Sequence, residues 1–324
     1  MKILVDAMGG DNAPDEIIKG AVEVADSVDA TIVLIGDEKI IKDKLSAYES
    51  KKNIHIKHAS ERIYNEDIPT KAIKAKKDSS MVVGLNMLKA KEGEVFISAG
   101  NTGALLTGSL LNVGRIKGIS RPALCPTLPS AKGPFVLVDA GANANCKPEY
   151  LVQFAKMGAI YAEKTLGIKN PRVGLVNVGT EEEKGSDLAK ATHMLLKEEK
   201  FNFIGNVEGR DLMMGNVDVA VTDGFTGNVI LKTLEGFGVA VFKILKDEIE
   251  KSVVRKAGAM LMKPALRGIK HKMDYTEYGG ALLLGIDGGV IKCHGSSKAK
   301  EIGCAIKQAY EFEKNKTVDC IKNW

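Results

Sequence analysis

Short, nearly unbroken apolar runs alternate along this chain with longer stretches in which apolar residues recur every three to four positions. The runs are Lys2 to Val5, Thr31 to Ile35, Ile54 to His58, Val95 to Ser98, Phe135 to Val138, Arg172 to Asn177, Asn202 to Gly205 and Val217 to Val221. A β-branched run that is too short for a helix and apolar on both faces reads as a strand covered from both sides. Strands alternating with helical segments build βαβ units. The pattern predicts an α/β fold, a mostly parallel sheet with helices on both faces. No repeat, low-complexity tract or linker cuts the chain, so residues 1–324 are read as one domain.

One segment breaks the pattern. Lys251 to Met273 holds no acidic residue; Lys251, Arg255, Lys256, Lys263, Arg267, Lys270 and Lys272 alternate with Val253, Val254, Met260, Leu261, Met262 and Leu266. Gly258 and Pro264 are expected to interrupt a continuous helix. The reading is a protrusion over about residues 245–275, two helical arms with a bent apolar tip.

In open parallel sheets ligands lie beyond the carboxyl ends of the strands. The loops there are glycine-bearing. The first run opens into Asp6-Ala7-Met8-Gly9-Gly10-Asp11, with Pro14, Asp15 and Glu16 marking a helix start; others open into Ser98-Ala99-Gly100-Asn101-Thr102-Gly103-Ala104, Asp139-Ala140-Gly141-Ala142-Asn143, Val178-Gly179-Thr180-Glu181-Glu182-Glu183-Lys184-Gly185 and Thr222-Asp223-Gly224-Phe225-Thr226-Gly227-Asn228. Val290 to Cys293 precedes His294-Gly295-Ser296-Ser297, where Ser296 or Ser297 is a candidate cap for the helix that follows. Glycine lets backbone approach a ligand, and helix N-termini favour anions. Asp, Asn, Thr and Gly are also ordinary turn residues, so each loop alone says little. Their recurrence at successive strand ends points to one cleft lined by N–H donors and hydroxyls, suited to a phosphate and a polar carbonyl.

Individual residues stay open at this level. Lys184 follows three glutamates, as at a solvated helix start, yet a lysine beside a glycine also supplies a mobile charge to phosphate. Asn228 suits a helix cap or an oxyanion donor equally. Spacing alone makes His294 a satisfied buried histidine, and Lys76, Lys77, Ser79 and Ser80 a solvated helix face.

Composition narrows the class. One Trp and 5% aromatics argue against a base-stacking surface, hence no nucleic-acid partner, and the formal charge of +5 permits an acidic partner without requiring one. The five cysteines, Cys125, Cys146, Cys293, Cys304 and Cys320, show no C-x-x-C spacing and read as reduced thiols. There is no run of about 18 apolar residues and no signal peptide, so a soluble, cytoplasmic protein is expected. Also absent are G-x-G-x-x-G after a strand, G-x-x-x-x-G-K-[ST], G-x-S-x-G and H-E-x-x-H, which removes support for dinucleotide, P-loop, serine-hydrolase and zincin chemistry.

The Asp6 to Pro14 opening and the strand-end motifs at Ser98–Ala104, Asp139–Asn143, Asn177–Thr180, Thr222–Asn228 and His294–Ser297 resemble, in order and over the whole chain, the phosphate acyltransferase family of bacterial phospholipid synthesis (PlsX type). The resemblance implies transfer of a long acyl chain from acyl carrier protein to inorganic phosphate, giving acyl phosphate for a downstream glycerol-phosphate acyltransferase. It implies a fold similar to the isocitrate and isopropylmalate dehydrogenases and the phosphotransacetylases, a homodimer, and peripheral association with the anionic inner face of the cell membrane. Carried onto these positions, it makes Lys184 and Asn228 catalytic, with Gly9, Gly10, Gly100, Asn101, Thr102, Gly103, Asp139, Asn143, Gly179, Thr180, Asp223, Thr226, Gly227, His294 and Ser296 binding substrate or phosphate. Val253, Val254, Met260 and Leu261 form the membrane tip; no metal or other cofactor is expected. Lys263, Arg267, Lys270 or Lys272 would steer the acidic carrier protein. Three alternatives remain at this point: a short-chain phosphotransacetylase using coenzyme A, a non-catalytic membrane scaffold, and a nicotinamide-dependent dehydrogenase, the last disfavoured by the missing fingerprint.

Overall fold

The computed structural model describes residues 1–273 and 275–324, less the side chains of Lys270, His271 and Tyr275. Its strands are β1 (Lys2–Asp6), β2 (Thr31–Gly36), β3 (Ile54–His58), β4 (Val95–Ser98), β5 (Ala123–Cys125), β6 (Thr127–Ser130), β7 (Gly133–Val138), β8 (Val173–Val176), β9 (Phe203–Val207), β10 (Val219–Val221), β11 (Ala281–Leu284) and β12 (Gly289–Lys292). The helices are α1 (Asp15–Val24), α2 (Glu38–Leu45), α3 (Pro69–Ala75), α4 (Ser80–Lys89), α5 (Thr102–Gly108), α6 (Pro148–Lys164), α7 (Asp187–Lys197), α8 (Gly209–Met214), α9 (Gly224–Glu250), α10 (Val253–Met273), α11 (Ala299–Lys314) and α12 (Thr317–Lys322).

The strands form two sheets where the sequence reading expected one. A seven-stranded sheet runs β3-β2-β1-β4-β12-β11-β5 and a five-stranded sheet runs β6-β7-β10-β8-β9. Each is parallel through its middle and antiparallel at one side, where β11 meets β12 and β5, and where β6 meets β7. The chain passes from the first sheet to the second at Pro126, between β5 and β6. Proline cannot donate to a ladder, and β6, which carries Pro129, is an edge strand as that demands.

The two sheets share one core. Ile3, Val5 and Ile97 of the first and Val136, Val138 and Val219 of the second belong to a single buried cluster, bridged by Leu151, Phe154, Met157 and Tyr161 of α6. Each such side chain contributes about 1.5–3 kcal/mol on burial. The fixed sheets bring the carboxyl ends of β4 and β12 near those of β7 and β10, and the glycine-bearing loops with them.

The protrusion is a helix hairpin, but its break lies elsewhere than expected. α9 runs 27 residues, the chain turns at Lys251 and Ser252, and α10 continues through both Gly258 and Pro264. The Ser252 hydroxyl accepts from the Arg255 N–H at 3.1 Å and so starts the second arm. Pro264 is tolerated because α10 is exposed along most of its length, where water satisfies the carbonyl that the missing N–H leaves free. Among the described residues no helix is long and apolar enough to cross a membrane.

Candidate active site

A cleft of about 240 Å³ opens where the strand-end loops of the two sheets meet. Its lining includes Thr102 from the start of α5, Ala140 after β7, Asn228 and Lys232 from α9, Lys292 at the end of β12, and His294 and Gly295 beyond it. Three residues singled out from sequence, Thr102, Asn228 and His294, therefore do converge. The local alternatives for Asn228 are resolved as well. α9 is capped by Asp223, whose carboxylate accepts from the Thr226 N–H at 3.0 Å and the Thr226 hydroxyl at 2.7 Å. Asn228 stands one turn further on, exposed and beside Gly141, its side chain making no hydrogen bond to the described residues. Its amide is thus available as a donor.

His294 is exposed, not buried as spacing suggested. Its Nδ1 accepts from the Ser296 N–H at 3.3 Å and lies 2.8 Å from the Ser296 hydroxyl, which leaves the proton of a neutral ring on Nε2. Ser296 and Ser297 do not cap the next helix. Lys298 occupies that position, and the first turn of α11 is held by carboxylates instead: Glu301 accepts from the Lys298 N–H and Glu16 from the Ala299 N–H.

Lys184 does not line this cleft. It is exposed on the loop after β8, with Gly179 and Thr180. A neighbouring cavity of about 260 Å³ is bounded by Asn177, Val178, Ser186, Asp223 and Thr226. The N-terminal end of α9 contributes to both spaces, Asp223 and Thr226 to one and Asn228 to the other. The expected single cradle is two adjacent spaces within one chain.

Several residues expected to face a ligand hold loops together instead. The Asn101 side chain caps α5 by accepting from the Ala104 N–H at 2.9 Å, and its NH2 donates to the carbonyls of Tyr64, Asn65 and Asp67. Asp139, fully buried, accepts from the N–H groups of Leu124, Gly141, Ala142 and Asn143 and from Asn143 Nδ2. Asn143 donates further to the Pro122 carbonyl at 2.7 Å. Gly227 is required by packing: a Cβ there would lie 1.8 Å from the Asp139 carbonyl oxygen. Gly103 abuts Pro69 in the same way, and Gly9 and Gly10 press on Asp6, Ala99 and Gly100. The loop they belong to secures the His294 loop, through the Asp11 N–H to the Gly295 carbonyl at 2.8 Å and Asn12 Nδ2 to the Ser296 carbonyl at 2.9 Å. Burial raises the pKa of both Asp6 and Asp139 above the usual carboxylate value, outweighing the donors around them.

Lys292 is the cleft residue that sequence reasoning missed. A lone cation inside the apolar run Val290 to Cys293 was the available signal, since lysine is almost never buried unless partnered. Lys232, which pairs with Glu235 at 2.7 Å, adds a second positive charge on the α9 side. Among the described residues no group of three or more His, Cys, Asp or Glu is placed to hold a metal ion.

Comparison with known proteins gives this geometry a family. The model of a family described as fatty acid synthesis protein matches residues 1–319. The phosphate acyltransferase of Alkaliphilus oremlandii is 55% identical, over 99% of this chain and 96% of its own length, and that of Clostridium novyi is 51% identical over 100% and 98%. Among solved structures, the EutD phosphotransacetylase from Staphylococcus aureus superposes with a TM-score of 0.63 at 14% identity, covering 97% of this chain and 94% of that one. A branched-chain phosphotransacylase from Enterococcus faecalis gives 0.62 at 14% identity, covering 96% and 98%. A 4-hydroxythreonine-4-phosphate dehydrogenase from Klebsiella pneumoniae gives 0.54 at 11% identity over 96% of each chain. These structures speak to fold, which they share end to end. With about half its residues identical to relatives of the same span, the chain belongs to the phosphate acyltransferase family and is an acyltransferase of fatty acid and phospholipid synthesis.

Proposed function

We propose that this enzyme transfers a long-chain fatty acyl group from acyl carrier protein to inorganic phosphate, yielding acyl phosphate for a downstream glycerol-phosphate acyltransferase. The observation that carries this reading is the contact between two kinds of space. The polar, lysine-bearing cleft shares Leu128 and Glu235 with an apolar groove of about 310 Å³ lined by Met213, Leu234, Phe237, Val239 and Phe242. Phosphate suits the first and an alkyl chain the second, and the reacting carbonyl falls where they join.

Phosphate is already a nucleophile and a thioester already has a good leaving group, so no covalent enzyme intermediate is needed. The site has to position both and stabilise the tetrahedral oxyanion. In this reading the exposed Asn228 amide donates to the carbonyl oxygen, Thr102 and the main chain at His294 and Gly295 bound the acceptor, and Lys184 brings a mobile charge from its loop. Asn101, Asp139, Asn143 and Gly227 shape the cleft from behind. Exposed Lys263, Arg267 and Lys272 on α10 give an acidic carrier protein a basic face; the Lys270 side chain lies outside the described residues. Exposed Val241, Ile244 and Leu245 on α9, outside the apolar groove, offer a surface to a second copy of the chain, which supports a homodimer.

Purified protein incubated with long-chain acyl carrier protein and phosphate is expected to form acyl phosphate, trapped as the hydroxamate. Efficient turnover with short-chain acyl-coenzyme A and none with the carrier protein would replace this reading by a phosphotransacetylase.

A further inference from the structure

We propose that Lys292 is the fixed cation that binds the phosphate acceptor, an inference that rests on the phosphate reading above. Lys292 ends β12, which pairs in parallel with β4, so that its neighbour across the ladder is Ser98. That is the end of the sheet where ligands bind. The residue is 9% exposed, yet it lines the cleft together with Thr102, Asn228 and His294. It also borders a smaller, mainly apolar hollow with Leu105, Leu124 and Leu283.

What sets it apart is burial without a counter-ion. Among the described residues no carboxylate lies within ion-pair distance of Lys292, and its ammonium donates only to the adjacent Cys293 carbonyl. The other cleft lysine, Lys232, is paired with Glu235, and most of the other ion-paired lysines lie on the surface. Burial lowers the Lys292 pKa; Cys293, Asp11 and Asp6 oppose this through space and Lys232 adds to it. A buried ammonium with one carbonyl for a partner keeps two donors unused. An anion in the cleft satisfies them, and the unfavourable burial of charge becomes favourable binding. Asp6 and Asp11 pull the other way, but neither forms a direct pair that phosphate would have to displace.

Lys292 and Lys184 then divide the work, one charge held rigidly by the end of a central strand and the other carried on an exposed loop. A purely structural lysine, anchored to a carbonyl at the strand end, predicts a stability loss and no change in phosphate affinity.

The test is titration of inorganic phosphate into wild type, Lys292→Met and Lys292→Arg by calorimetry, with KM measured separately for phosphate and for the acyl donor. Expected is a tenfold or greater loss of phosphate affinity in Lys292→Met, a matching rise in the phosphate KM, a donor KM within twofold of wild type, and partial recovery in Lys292→Arg. A folded Lys292→Met with wild-type phosphate affinity overturns the proposal. Should that variant fail to fold, the Lys292 side-chain signal in 13C-lysine-labelled wild type, assigned by its loss in Lys292→Arg, must shift on phosphate addition, and an unmoved signal overturns it equally. Failure of wild type to form acyl phosphate from any donor would remove the reaction assigned above while leaving the phosphate titration to decide Lys292.

Discussion

Asn177 donates through Nδ2 to the main-chain carbonyl of Lys184 at 3.0 Å, closing the loop after β8 back onto its own start. Its amide oxygen accepts from the Val178 N–H at 2.9 Å, and Gly185 takes φ +91° at the point where a Cβ would lie 2.1 Å from that same oxygen. Asn206 adds a second tie by donating to the Glu181 carbonyl at 2.8 Å. The backbone beneath Lys184 is therefore fixed at both ends while its ammonium is free in solvent.

This clamp makes a graded prediction. Lys184→Ala and Asn228→Ala should each lower kcat by on the order of a hundredfold, the loss typical of one transition-state donor. Asn177→Ala, which leaves Lys184 present but loosely held, should cost about tenfold with the fold intact. Steady-state kinetics on the three variants, with circular dichroism as a control, check the order; an Asn177→Ala enzyme slower than Lys184→Ala would show that the loop matters for something other than placing the lysine.

Asp139 carries the second prediction. Its five donors leave no room for an amide. In Asp139→Asn one oxygen can still serve three of the N–H groups, but the NH2 must face the Asn143 N–H and Nδ2, so the variant should lose about 2 kcal/mol of stability at neutral pH. The pH dependence has a definite sign. Burial raises the Asp139 pKa above 3.8, so the folded protein holds this proton more tightly than the unfolded chain does. The stability that this contributes is complete below the unfolded pKa and is lost as pH rises through the folded one. Urea unfolding from mildly acidic to neutral pH should show the gap between wild type and Asp139→Asn narrowing upward; a widening gap would mean that the N–H donors outweigh desolvation.

The same residue shows where sequence reading stops. Lys2–Asp6, Thr31–Gly36 and Val95–Ser98 were legible because a doubly covered parallel strand has to be apolar on both faces. β5, β6 and β11 were not: Pro126 and Pro129 make the first two read as loop, and β11 joins its neighbours antiparallel, outside the alternation of strand and helix that marks the parallel strands. Within the cleft, Thr102 and Asn228 were legible as polar residues of the glycine-bearing motifs beyond β4 and β10, whereas spacing alone left His294 as a buried histidine. Asn101 and Asp139 had the same signature and a different role, because an Asx side chain that ties two loops together is chemically identical to one that grips a ligand. Lys292 was hidden for the opposite reason, its charge sitting inside a strand where only packing reveals what it faces.

The hairpin tip yields the last prediction. Val253, Val254 and Leu261 are all more than 80% exposed and Met260 is 75% exposed, on a segment whose charges are all positive. Such side chains add nothing to the core, so replacing them should leave the melting temperature unchanged. If they enter a bilayer surface, as an apolar tip ringed by lysines would on anionic lipid, each buried leucine or valine contributes about 2 kcal/mol, or roughly thirtyfold in partitioning. Leu261→Glu and Val253→Glu should therefore sediment poorly with anionic vesicles while keeping full activity toward soluble donor. Because the turn lies at Lys251 and Ser252, Val253 is nearer the tip than Leu261 by about 12 Å of helix. A shallow insertion is expected to punish Val253→Glu more than Leu261→Glu, a helix lying flat on the surface to punish both alike, and equal binding by wild type and both variants would remove the membrane role from this segment.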